Sequence, residues 1–210
     1  MTTPGSLDPP RGIIEWGVAG RPIPGETESG DLHVVASHGN GVLAAVIDGL
    51  GHGPEAAVAA QRAASVLSDT PGQPVSELVD RCHAALRSSR GAVMTIAAID
   101  ARNDQLTWTG IGNVEAVLSR ADPDAVPPRE TIVSRAGVVG YQLPSLREIT
   151  LTIARGDVLV LATDGIHRDF ILESPLETSA QGYARHLLDQ YGGDSDDALV
   201  LVVRYLGGSP

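Results

Sequence analysis

Three apolar runs in this sequence each end or begin at an aspartate. Asp48 follows residues 42–47, Asp164 follows residues 158–163, and Asp196-Asp197 precedes residues 198–203. Such runs are typical of buried strands, which hold the side chains at their ends in place. Carboxylates gathered at strand ends repel one another and lose hydration, and a divalent cation with oxygen ligands relieves both costs. The pattern therefore indicates a metal site.

Each aspartate taken singly has a simpler interpretation. Asp48-Gly49 or Asp164-Gly165 after an apolar run is most often only a turn. Three such positions, together with Ser29-Gly30-Asp31 ahead of another apolar strand, favour the metal site. The predicted ligands are four carboxylates and one glycine carbonyl, because glycine lets the backbone approach a metal closely: Asp31, Asp48, Asp164, Asp196 and the carbonyl of Gly49.

These ligands suit two hard cations that share one water. A water held in this way is acidified toward hydroxide and attacks phosphorus in line, so no protein nucleophile is required. His52, between two glycines, is a candidate for positioning phosphate or water. The alternative for His52 is a loop histidine that is bonded to the backbone.

The composition excludes several classes of protein. The chain has 15 basic and 26 acidic residues and a net charge of -11, which disfavours a nucleic-acid or anionic-membrane partner. Every basic residue is arginine. Because the chain has no lysine, a Walker-type phosphate loop, a Schiff-base enzyme and a kinase of the usual kind are excluded.

Other nucleophiles and zinc are poorly supported. A cysteine phosphatase needs five residues between its cysteine and arginine, but only four separate Cys82 from Arg87. The sequence contains neither the Gly-x-Ser-x-Gly elbow of many serine hydrolases nor the His-x-x-x-His spacing of zinc helices. The single cysteine also rules out a disulfide framework.

We expect one α+β domain over residues 12–206, with a flexible leader over residues 1–11 and a short tail over residues 207–210. No export signal or membrane-spanning run is recognisable, so we expect a cytoplasmic protein. Alternation and turn residues predict strands at 13–18, 32–36, 42–47, 93–99, 106–109, 114–118, 131–133, 148–153, 158–163 and 198–205. Helices are predicted from Pro54, from Pro74 and over residues 180–191. The strands over residues 93–118 are predicted to form an antiparallel meander.

The ordered set of motifs resembles a known family. Residues 48–53 (Asp-Gly-Leu-Gly-His-Gly), Thr163-Asp164-Gly165 and Asp196-Asp197 resemble the signature of metal-dependent serine/threonine phosphatases of the 2C type. Ser29-Gly30-Asp31 and the helix directly after Gly53 are similar to the SpoIIE-like bacterial branch. Residues 109–115 are similar to its RsbX-like stressosome phosphatases. The resemblance covers nearly all of residues 12–206.

The resemblance implies a four-layer αββα sandwich of two antiparallel sheets flanked by helices, with two divalent cations at one end. Manganese is favoured, and magnesium is the other candidate. By the same resemblance, Asp48 bridges both cations, Asp164 and Asp196 hold one, and the Gly49 carbonyl and Asp31 serve the other. Asp197 lies where many relatives have asparagine, so its implied role is secondary.

One departure concerns the proton donor: eukaryotic members carry a histidine where this chain has Leu50. The expected activity is hydrolysis of phosphoserine or phosphothreonine on a stressosome or anti-anti-sigma-type signalling protein, by a monomer or weak dimer. Two alternatives stay open from the sequence. One is a catalytically silent binding module of the same fold, and the other is a phosphatase of small phosphoesters.

Overall fold

The computed structural model describes residues 12–175 and 177–208, so the predicted leader and the last two residues of the tail lie outside the described residues. The strands are β1 (Ile14–Arg21), β2 (Asp31–His38), β3 (Gly41–Gly49), β4 (Ala92–Asp100), β5 (Gln105–Ile111), β6 (Glu115–Ser119), β7 (Arg129–Thr131), β8 (Ile149–Thr152), β9 (Val158–Ala162) and β10 (Ala198–Tyr205). The helices are α1 (Pro54–Asp69), α2 (Val75–Leu86), α3 (Ala180–Tyr191) and a 3-10 helix (Arg168–Leu172).

The strands form two antiparallel five-stranded sheets. Sheet I has the order β1-β10-β9-β6-β7, and sheet II has the order β2-β3-β4-β5-β8. One apolar cluster fills the space between the sheets, a second lies between sheet II and the α1-α2 pair, and a third lies between sheet I and α3. The predicted four-layer αββα sandwich is therefore confirmed. Among the described residues, no helix has the length and apolar composition to cross a bilayer.

Small residues set the distance between α1 and sheet II. The buried face of α1 consists of five alanines and Leu67. Gly49, at the end of β3, lies so close to α1 that an added Cβ would be 2.2 Å from the carbonyl oxygen of Ala56. The absence of a side chain at Gly49 thus allows the start of α1 to pack directly against the strand end that carries Asp48.

The predicted meander is wrong at its third strand. β4 pairs with β5 as expected, but β6 lies in sheet I and pairs with β9 and β7, while β5 pairs with β8 instead. The chain changes sheets at Gly112, which has a φ of +87°. A glycine turn between two apolar strands is compatible with a hairpin and with a crossing, so the pattern did not distinguish them. The short strand predicted at 131–133 is found at Arg129–Thr131.

Candidate functional site

Asp31 and Asp48 lie opposite each other on adjacent strands. They are register partners at the end of the β2-β3 pair, in sheet II. Like charges directly opposite each other destabilise an antiparallel pair. The β2-β3 ladder extends unbroken from this pair to His38 and Gly41, so the backbone holds the two carboxylates in proximity.

Asp31 is buried and is bonded across the two sheets. Its Oδ2 accepts a hydrogen bond of 2.7 Å from Oγ1 of Thr163, the residue that follows β9. The same hydroxyl oxygen accepts a 2.9 Å hydrogen bond from the backbone N–H of Leu199 in β10. Thr163 therefore fixes the orientation of Asp31 and ties sheet I to sheet II at this end.

Asp164 is exposed, whereas Asp31 is buried and Asp48 is half-buried. Its Oδ2 accepts a 2.6 Å hydrogen bond from the side-chain amide of Asn113, which lies just after the β5 end. Burial and Asp196 raise the pKa of Asp164, and the hydrogen bond from Asn113 lowers it. Asn113 therefore orients the Asp164 carboxylate and favours its charged form.

Asp196 and Asp197, before β10, have different surroundings. Oδ1 of Asp196 accepts a 2.8 Å hydrogen bond from the N–H of Asp197. The Asp197 side chain is buried and accepts from two backbone groups of the β1-β2 loop, the N–H of Ile23 at 2.7 Å and the N–H of Gly30 at 2.6 Å. Asp197 thus fixes the loop that leads into Asp31.

Two close backbone approaches bring the aspartates together. The N–H of Gly49 donates a 3.0 Å hydrogen bond to the carbonyl of Gly30, so the residues beside Asp48 and Asp31 are joined. A Cβ added at Gly165 would lie 2.0 Å from the carbonyl oxygen of Asp197. Only glycine fits at Gly165, so the Asp-Gly pair provides close packing as well as a turn.

The electrostatics of the site are dominated by burial and by repulsion between carboxylates. Burial, followed by the charges of the four other aspartates, raises the pKa of Asp48 to about 8. Burial also raises the pKa of Asp31 to about 7, with further contributions from Asp197, Asp164 and Asp196 against the opposing hydrogen bond from Thr163. These couplings bring the five aspartates into one electrostatic group. A positive charge among them would stabilise the ionised forms of these carboxylates.

The donor chemistry of this group fits divalent cations. Hard cations take carboxylate and carbonyl oxygens and fill their remaining positions with water. Among residues 12–175 and 177–208, however, no three His, Cys, Asp or Glu side chains converge on a common metal position. The aspartates and the Gly49 carbonyl are thus suitable donors that interact through space without forming a closed cage.

His52 and Leu50 lie on the same loop but in different environments. His52 is exposed, and its Nδ1 lies 3.1 Å from Oε1 of Glu26 in the β1-β2 loop. Leu50 packs against the apolar cluster between the sheets. The structure therefore places His52 at the rim, and the leucine side chain at position 50 has no proton to donate.

Sequence reasoning found the aspartates but missed two of their partners. Nothing in the pattern around Asn113 indicates a contact with Asp164, and Thr163 stands in the pattern only as the last residue of an apolar run and the first of the Thr163-Asp164-Gly165 motif. The signal that could have indicated both partners is that Asn113 and Thr163 each place a side chain able to form hydrogen bonds just after a strand. Cavity volume does not locate the site either, because a cleft of about 780 Å³ beside the start of α3 contains none of the five aspartates.

Comparison with known proteins identifies one matching family and one similar phosphatase. Residues 38–206 match the family described as stage II sporulation protein E (SpoIIE). Phosphoserine phosphatase RsbX of Bacillus subtilis (strain 168) is 24% identical over 143 residues, which cover 68% of this chain and 70% of RsbX.

Two solved structures have the same fold. One comes from work on the bacterial stressosome as "a modular system that has been adapted to control secondary messenger signaling"; it is 29% identical, with a TM-score of 0.84 over 91% of this chain and 99% of that one. The other is RsbX in complex with magnesium, which is 20% identical, with a TM-score of 0.78 over 92% of this chain and 96% of that one. At 20% identity the likeness to RsbX concerns the fold.

Proposed function

We propose, because the chain belongs to the stage II sporulation protein E (SpoIIE) family, that it is a metal-dependent protein phosphatase acting on phosphoserine and phosphothreonine. The observation that carries the proposal is the group of five coupled aspartates at one end of the sandwich. The likeness to RsbX, a phosphoserine phosphatase, supports the reaction class.

The site residues divide into two sets of donors. Asp48 would serve both cations, with Asp31 and the Gly49 carbonyl on one side and Asp164 and Asp196 on the other. A bound pair of divalent cations supplies an activated water and neutralises charge on the phosphoryl oxygens. We favour manganese, with magnesium as the other candidate.

The remaining residues position these donors. Thr163 and Asn113 donate hydrogen bonds to Asp31 and Asp164, which holds each carboxylate in one orientation. Asp197 holds the β1-β2 loop against the end of β3. Because the side chain of Leu50, which packs against the apolar cluster between the sheets, has no proton to donate, the proton for the leaving serine or threonine oxygen comes from solvent water in this proposal.

The proposed substrate is a phosphorylated bacterial signalling protein of the stressosome or anti-anti-sigma type. Support comes from the stressosome-related structure, which covers nearly the whole chain. A shallow metal site gives little side-chain selectivity, so we expect docking of a folded substrate to supply specificity. Phosphotyrosine is expected to be a poor substrate.

The test is phosphate release from a folded anti-anti-sigma-type phosphodomain and from a peptide with the same phosphosite. Each is assayed with manganese, with magnesium and with chelator. We expect cation-dependent release and a higher kcat/KM on the folded domain. Release that is unaffected by chelator would refute metal dependence. Equal kcat/KM values would instead favour a general phosphoesterase, and binding of the phosphodomain without any release would indicate a silent module.

A further inference from the structure

A second cleft borders the loop that follows Asp48, over residues 50–53. It has a volume of about 450 Å³ and lies between the start of α1 and the turn that follows α2. Its walls include Pro54, Glu55, Val58, Arg62, Ser88 and Arg90. The cleft contains none of the five aspartates.

Arg90 connects this cleft to the site. A Cβ added at Gly51 would lie 2.8 Å from Nη1 of Arg90, so the guanidinium group rests against the loop. The N–H of Leu50 also donates a 3.1 Å hydrogen bond to the carbonyl of Gly91. Gly51 is three residues after Asp48, and three residues span at most about 11 Å. The cleft is therefore within a few peptide residues of the proposed reaction centre.

The cleft is basic on a strongly acidic protein. Arg90 forms an ion pair with Glu55. Nη1 of Arg62 donates a long hydrogen bond of 3.4 Å to Oγ of Ser88, and no ion pair of Arg62 is found in the described part of the chain. Two arginines against one glutamate leave positive charge here, whereas the chain as a whole carries -11.

The same cleft has an apolar wall. Val58 is 44% exposed on α1, although the neighbouring residues of its helix turn, Ala57, Ala59 and Ala60, are buried. Pro54 lies one turn before it, on the same side of the cleft. A partner with an acidic side chain next to an apolar one would complement both features.

We propose that this cleft binds the substrate polypeptide beside the phosphorylated residue. An acidic side chain of the substrate pairs with Arg62 and Arg90, and an apolar neighbour packs on Val58. Charge complementarity identifies this occupant. The inference rests on the proposed phosphatase function and adds a sequence preference to it, namely acidic residues within a few positions of the phosphoserine.

The test uses three phosphoserine peptides that differ only in having glutamate, alanine or lysine at the flanking positions. Phosphate release is measured with manganese for the wild type and for the Arg62→Glu/Arg90→Glu double variant. Arg102→Glu is the control for charge reversal elsewhere, since it makes the same arginine-to-glutamate change at one position in the β4-β5 turn, at the opposite end of sheet II. Para-nitrophenyl phosphate, which has no flanking residues, reports the basal chemistry.

We expect the wild type to favour the glutamate peptide over the lysine peptide about tenfold in kcat/KM, as for partly exposed charge pairs. The double variant should reverse that order and retain its rate on para-nitrophenyl phosphate within about twofold. Arg102→Glu should keep the wild-type order. If the double variant releases phosphate from the lysine peptide faster than the wild type does, misfolding cannot be the cause.

Three results would overturn the inference: no flank preference in the wild type, an unchanged preference in the double variant, or an equal loss on all substrates including para-nitrophenyl phosphate. Failure of the phosphatase proposal itself has a different result. In that case the wild type releases no phosphate from any peptide or from para-nitrophenyl phosphate with manganese or magnesium.

Discussion

Asp48→Asn is expected to stabilise the cation-free protein at alkaline pH while abolishing its activity. Asp48 lies opposite Asp31 and is coupled to three further aspartates, which together with burial raise its pKa to about 8. Asparagine has nearly the same shape and no charge. The substitution therefore removes the repulsion and leaves the packing of β3 almost unchanged.

The sign of the effect follows from proton linkage. The pKa of Asp48 is raised in the folded protein, so between about pH 4 and pH 8 the unfolded chain binds fewer protons than the folded one. The free energy of unfolding of the wild type thus falls as pH rises through this window. Below pH 4 both states hold the proton, and wild type and variant should have similar stability.

The pKa difference sets a ceiling of about 5 kcal/mol on this cost at pH 8. Part of the repulsion is shared with Asp31, whose pKa is raised by the same neighbours, and part is screened at the partly exposed end of the sheet. We therefore expect the variant to gain about 2–3 kcal/mol at pH 8. For a chain of this length that corresponds to a rise in Tm of about 5–10 °C.

The assay is thermal and urea unfolding in chelator from pH 4 to pH 8.5, followed by the same series with manganese. Asp100→Asn, at the opposite end of sheet II, is the control with opposite sign. Hydrogen bonds from Asn103 and Arg102 lower the pKa of Asp100, so removing its charge should reduce stability at pH 8. With manganese the order of wild type and Asp48→Asn should reverse, because binding to the folded state stabilises the wild type more.

The reasoning is refuted if Asp48→Asn is no more stable than wild type in chelator at pH 8, or if its advantage is the same at pH 4. The proposed role of Asp48 is refuted separately if the manganese-saturated variant keeps wild-type turnover on a phosphopeptide. Stability and turnover thus test the electrostatics and the chemistry independently.

Three further predictions concern neighbouring positions. His52→Ala should lower kcat/KM by less than about tenfold, because a positioned acid contributes roughly 10²–10⁴ and His52 is exposed beside Glu26. A loss as large as that of Asp48→Asn would assign the proton transfer to His52. Gly49→Ala should cost about 1–3 kcal/mol in urea unfolding, because the new Cβ meets the carbonyl of Ala56; unchanged stability would contradict the close approach. Asp197→Ala should speed hydrogen exchange in the β1-β2 loop and weaken manganese binding, and unchanged exchange would disprove its positioning role.

The helices and most strands were predictable because local patterns specify them, whereas the four-layer arrangement was an implication of the family resemblance. The alanine face of α1 and the apolar run of β3 are both fully buried, as their periodicity indicated. Asp48 and Asp164 were found for the same reason, since a charged residue that interrupts an apolar run marks a strand end. Neither conclusion required knowing which distant segments of the chain pair with each other.

Pairing between distant segments was not predictable in this way. β6 is mostly buried, as a third meander strand would be, yet it lies in the opposite sheet, where it pairs with β9 and β7. The hydrogen bond from Asn113 to Asp164 depends on that crossing, since it joins residues 51 positions apart. A local pattern carries no information on such a contact, so the role of Asn113 emerged only from the structure.

The position of the aspartates also explains how a repulsive cluster can persist in a folded protein. Asp31 and Asp48 end a ladder of eight residue pairs, and the sheets behind them enclose a continuous apolar core. Separating the two carboxylates would require breaking ladder hydrogen bonds and exposing apolar surface, which costs more than the repulsion releases. The core therefore holds the negative charges together. A cation that binds between them removes their repulsion, which makes its binding more favourable.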